Sequence, residues 1–124
     1  NLEINNNNKE LINDFLDLMH IYKLDFTNTF INLEKGKLNK KIFNNWIKKY
    51  SIKKLKKYKK INPVIIPRNH IIEKIINESY KEEYINLYDF NNALKKPYEE
   101  NIINDKFRKP PDENEKVYQT FCGT

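Results

Sequence analysis

Apolar residues in the first half of this chain recur in steps of three and four, and that spacing dictates helices. Leu11, Ile12, Phe15, Leu18, Met19 and Tyr22 fall on one face of a helix that Asn8 can cap. The pattern breaks at Leu24-Asp25-Phe26-Thr27. Asp25 there suits the N-cap of a short helix through Phe30 and Leu33, which Gly36 ends with Lys35 beside it. A third helix is predicted from Asn39, carrying Ile42, Phe43, Trp46, Ile47 and Tyr50 and continuing through Ile52 and Leu55. Asn62-Pro63 stops it, because proline disfavours helical geometry in the residue before it.

The second half reads as two further helices and a tail. Pro63-Val-Ile-Ile-Pro67 is a short extended segment pinned at both ends. A fourth helix starts at Asn69 or His70, with Ile72, Ile75, Ile76 and Ser79 on one side. A fifth covers roughly 82–94 through Tyr84, Leu87, Tyr88 and Phe90, and Pro97 ends it. The fold class is all-α with an irregular, proline-containing tail. We divide the chain into a helical segment 1–61 with a basic end, residues 62–97 opened by the NPVIIPRNH segment, and an extended tail 98–124 ending FCGT.

Composition excludes several classes. Two glycines in 124 residues leave no Gly-rich phosphate loop, and one cysteine excludes an internal disulfide framework or a multi-cysteine metal site. No apolar run reaches the roughly 20 residues of a membrane span, so we expect no membrane association. The first residues lack the charged and apolar regions of a signal peptide. The chain opens on asparagine, which points to a processed chain or a piece of a longer one. Asn, Ile and Lys, all with A/T-rich codons, dominate, while alanine occurs once, at Ala93. Part of the net charge of +6 comes from that bias.

The charge is unevenly placed. Residues 1–60 hold fourteen lysines against six acids, whereas residues 61–124 hold nine basic against eleven acidic side chains. Eight lysines between Lys48 and Lys60 form the basic end. They read either as a solvated helix face or as a binding module for nucleic acid or a protein partner. No zinc-finger, RNA-binding or helix-turn-helix pattern accompanies them, so no dedicated nucleic-acid binding is expected.

Few residues carry the pattern of a chemical site. His20 comes after an apolar helix face and reads as structural. His70, within Arg68-Asn69-His70, fits either a phosphate-binding cluster or a helix cap. Glu82-Glu83, Glu99-Glu100 and the acids from Asp112 to Glu115 read as solvated surface, with no apolar setting to shift them. Cys122 lies two residues from the end and fits a redox thiol, a disulfide to another segment, or an incidental thiol beside an anchoring Phe121.

The order of these segments resembles the C-terminal end of the selenoprotein O family. The resemblance rests on Asn62-Pro63-x-x-Ile-x-Arg68-Asn69-His70, a helix with Glu73, Leu94-x-x-Pro97-Tyr98, Lys109-Pro-Pro111 and the terminal Tyr118-Gln-Thr-Phe-Cys-Gly-Thr124. Upstream, Leu11-Ile-x-x-x-Leu16-x-Leu18-Met19, Asp25-Phe-Thr-x-Thr-Phe30 and Trp46 are similar to that family's preceding helices. The resemblance implies a protein-kinase-like fold and transfer of AMP from ATP to Ser, Thr or Tyr hydroxyls of protein substrates. It implies Mg²⁺, with Mn²⁺ as an alternative metal, and ATP, both bound by a kinase-like core upstream of this chain.

No catalytic, cofactor-binding or metal residue carries over, because no Gly-rich loop, Asp-Phe-Gly or catalytic-loop pattern is present. Cys122 occupies the third-last position, where relatives place cysteine or selenocysteine, and inherits a redox role on that ground alone. The family implies bacterial cytoplasm, or mitochondria in a eukaryote. Helices that bury their faces on an absent core would leave a marginal bundle, with apolar surface exposed around Phe43 and Trp46.

Overall fold

The computed structural model describes residues 6–50, 61–100 and 105–117. They form five α-helices: α1 (Asn6–Ile21), α2 (Phe26–Glu34), α3 (Lys40–Lys49), α4 (Asn69–Ser79) and α5 (Ile85–Leu94). A 3-10 turn covers Glu113–Glu115, and no strand occurs among the described residues. The chain divides into two compact units, Asn1–Asn62 and Pro63–Thr124.

In the first unit, α1 packs on α3 around Phe15, Met19, Phe43 and Trp46. The Phe15 ring lies 4.9 Å from Trp46, 5.1 Å from Phe43 and 5.4 Å from Phe30, so one side chain ties three helices together. The Trp46 indole N–H donates to the Leu11 carbonyl at 3.0 Å, which satisfies the polar atom that burial would otherwise orphan. The exposed apolar surface expected at Phe43 and Trp46 is therefore absent. They are 1% and 5% exposed, because α1 and α2 supply the cover expected from elsewhere. The α1 face is also narrower than expected: Ile12 and Tyr22 are about half exposed.

Local chemistry fixes the helix ends. Asp25 caps α2 by accepting from the Asn28 amide at 2.8 Å, and Asn39 caps α3 by accepting from the Lys41 amide at 3.0 Å. Gly36, at φ +66, closes α2: its amide bonds to the Leu33 carbonyl and that of Lys37 to the Asn32 carbonyl. The same paired closure ends α1 at Lys23 and α4 at Glu82, each in left-handed geometry without being glycine. The described part of α3 runs to Lys49, with Tyr50 after it, and the continuation through Ile52 and Leu55 falls on the stretch that follows. Residues 51–60 lie outside the described residues.

In the second unit, α4 packs on α5. The buried stripe of α4 is Ile71 and Ile75, whereas Ile76, expected on the inner face, is 42% exposed. On α5 the buried residues are Phe90 and Ala93, and the expected Tyr84, Leu87 and Tyr88 are exposed. The difference comes from the tail: Phe107 is buried, stacks 5.0 Å from Phe90, and lines a small cavity with Ile71 and Ile75. The start of α5 also falls later than residue 82, because Glu82 is spent in the left-handed turn that closes α4.

Candidate functional site

Two of the segments singled out in the sequence meet at the base of the second unit. The amides of Val64 and Ile65 both donate to the Pro97 carbonyl, at 2.7 and 3.1 Å. Both side chains are buried, which holds the extended stretch against the turn after α5. Arg68 is thereby placed at the N-cap of α4 in extended geometry, with only 9% of its surface exposed. A cleft of about 430 Å³ opens there, walled by Arg68, Asn69 and His70 on one side and by Pro111, Glu115 and Lys116 on the other. Three of the resembling segments thus lie at or beside one place.

The chemistry of that cleft is polar and quiet. A helix N-terminus and a guanidinium favour negative charge. The opposite wall is largely satisfied within itself: Glu115 accepts from the Asp112 amide in a capping box, and Lys116 bonds both oxygens of Glu113 at 2.8 and 2.9 Å. Lys109 donates to Asp112 at 2.6 Å, and that bond holds the ammonium above its usual pKa. Among the described residues no three His, Cys, Asp or Glu side chains converge as a metal site.

The other candidates are scattered. His20 is exposed in the last turn of α1 and lines a shallow cleft with Leu16, Met19 and Phe26, rather than packing into the core. Glu82, Glu83, Glu99, Glu100 and the acids from Asp112 to Glu115 are exposed. Of the basic run, Lys48 is exposed, while Lys49 bonds Asp14 at 2.8 Å and Glu10 at 2.9 Å and so braces α1 against α3. Lys53 to Lys60 lie outside the described residues, as do Phe121 and Cys122.

Sequence reasoning missed two polar clusters. In the first, Asp14 accepts from Lys49 and from the Tyr50 hydroxyl at 2.8 Å. The Lys49 bond, then the Tyr50 bond, hold the Asp14 carboxyl below its ordinary range, and Asp14 and Glu10 raise Lys49. Burial, and then the bond to Asp14 and the charges of Asp14 and Glu10, raise the Tyr50 phenol against the opposing effect of Lys49. The second cluster joins Glu34 to Asn62 and the Ile61 amide. Burial pushes the Glu34 carboxyl up, but the Asn62 backbone and side-chain bonds outweigh it and the net displacement is downward. Both clusters bridge 27 to 39 residues of sequence, and no local pattern encodes such pairs.

Similarity to known proteins decides the family. The chain is 37% identical over 133 residues to Protein nucleotidyltransferase YdiU of Clostridium botulinum strain Hall, covering 92% of this chain and 27% of that protein. It is 34% identical to the protein of that name from Maridesulfovibrio salexigens, over 94% of this chain and 28% of the relative. For Ruegeria sp. the identity is 33%, over 98% and 28%. The chain belongs to the YdiU, or selenoprotein O, family. It spans about a quarter of the length of the curated YdiU relatives it matches. No protein-family model and no solved structure matches it. No helix among the described residues is long and apolar enough to cross a membrane.

Proposed function

We propose that this chain is the helical C-terminal portion of a selenoprotein O-type protein adenylyltransferase, built on a protein-kinase-like fold whose catalytic core lies outside these residues. The parent would transfer AMP from ATP to Ser, Thr or Tyr hydroxyls of protein substrates. One observation carries the reading: nearly all of this chain aligns with about a quarter of proteins named protein nucleotidyltransferases. Mg²⁺ or Mn²⁺ would neutralise the ATP phosphates in that core. The described residues offer no convergent ligand set for the metal, so no step is placed on this chain.

Nucleotidyl transfer depends on holding ATP, metal and acceptor together, and among the described residues no three His, Cys, Asp or Glu side chains converge to hold the metal. The 124-residue chain is therefore inactive alone in this reading. Incubation with labelled ATP and Mg²⁺ should leave the chain and added proteins unlabelled. Label above a boiled control would overturn it.

Cys122 is the redox candidate of the parent, pairing with a cysteine outside this chain. A thiol–disulfide buffer would take up the two electrons and two protons released when the bond forms. Non-reducing mass spectrometry of the parent under oxidising conditions should find Cys122 in a disulfide, and a free thiol there would remove that role.

A further inference from the structure

The turn between α1 and α2 builds an open apolar cleft within the first compact unit. The Lys23 amide donates to the His20 carbonyl at 3.1 Å and the Leu24 amide to the Met19 carbonyl at 2.9 Å, which folds both residues back beside the last turn of α1. Phe26 opens α2; its ring is 62% exposed yet stacks 4.6 Å from Phe30, which steadies it. Leu16, Met19, His20, Lys23, Leu24 and Phe26 together line a space of about 500 Å³. One turn before Leu16, Ile12 is 47% exposed, so apolar surface runs on along α1.

The charges at this cleft are of one kind. His20 and Lys23 are both exposed, and no carboxylate lines the space. Among the described residues neither forms an ion pair. Glu10 and Asp14 are engaged with Lys49, Asp25 with the cap of α2 and Glu34 with Asn62, and the exposed Asp17 is not a lining residue. Lys23 also holds a φ of +49°, a left-handed backbone that glycine adopts at lower cost. The turn itself therefore does not call for a side chain there. What lysine adds is a cation beside exposed apolar surface.

We propose that this cleft is a docking site for an acidic amphipathic segment of another protein. An aromatic or branched aliphatic side chain of that segment packs on Leu16 and Phe26, and its neighbouring carboxylates accept from Lys23 and His20. Charge complementarity selects this occupant. A basic segment, or the same cleft of a second copy, would bring like charges together, and a purely acidic one would leave the apolar lining uncovered. The site is independent of the transfer reaction.

The test titrates the whole 124-residue chain into a fluorescein-labelled acidic peptide, Asp-Glu-Leu-Phe-Asp-Glu-Leu, at physiological salt and reads anisotropy. Saturable binding in the micromolar range is expected. Peptides with the leucines and phenylalanine changed to serine, or with the acids changed to lysine, should bind at least about tenfold more weakly. Lys23→Gly should weaken binding at least about threefold while raising the urea midpoint, two opposite effects that a merely structural lysine would not give. Phe26→Ala should weaken it by a similar factor with Trp46 fluorescence unchanged. Both variants keep every lysine from Lys48 to Lys60, so wild-type affinity in both would assign the attraction to that basic run and overturn the cleft. Absence of saturable binding, or equal binding by the serine peptide, would overturn it as well.

Discussion

Lys23 and Glu82 show how individual residues carry strain that glycine would avoid. Both sit at positive φ, 49° and 64°, at the position where Gly36 closes α2. A left-handed backbone costs an L-residue roughly 1–2 kcal/mol, and glycine gives back part of that gain through its looser unfolded chain. Lys23→Gly and Glu82→Gly should each stabilise their unit by roughly 0.5–1 kcal/mol, read as a raised urea midpoint. Asp14 gives the matching pH prediction. Its pKa is lowered in the folded chain, so its contribution is present above the unfolded value of about 4 and lost as pH falls through the folded one. The Trp46 unfolding midpoint should therefore fall between pH 7 and pH 3, and Asp14→Asn should shrink that fall. Glu34, displaced in the same direction, keeps it from vanishing.

At the scale of elements, legibility depended on whether the deciding residue was local. Both bounds of α2 and the start of α3 were readable because Asp25, Gly36 and Asn39 end them by direct bonds to neighbouring backbone. The inner face of α4 was not, because Ile71, Ile72, Ile75 and Ile76 span more than one face, and the choice between them rests on packing against α5 and against Phe107, more than thirty residues later. The start of α5 was hidden for a related reason, since glutamate gives no signal of a left-handed turn. Of the candidate site, Arg68 to His70 were legible as a cluster, while their partners on the tail were not, being set by tertiary packing. The α1–α3 pairing predicts its own weak point. Phe15→Ala should cost about 3–5 kcal/mol and shift the Trp46 emission to the red, because Phe15 touches three aromatic neighbours.

For the whole molecule, the basic first half invites a binding reading that the ion pairs temper. Lys49 is engaged with Glu10 and Asp14, so one of the eight lysines between Lys48 and Lys60 is already committed to holding α1 on α3. Weak, non-specific attraction to nucleic acid at low salt should fall by about 10³ or more between 50 and 200 mM salt if six or more phosphates are neutralised. Gel-shift titration across that range checks it, and sequence-selective binding at physiological salt would point instead to a binding module. We propose that this chain, although similar over nearly its whole length to proteins named nucleotidyltransferases, does not bind the nucleotide by itself. Isothermal titration of the 124-residue chain with ATP and Mg²⁺ at physiological salt tests this most directly. No saturable heat is expected up to millimolar ATP, and a single saturable site in the micromolar range would overturn this proposal.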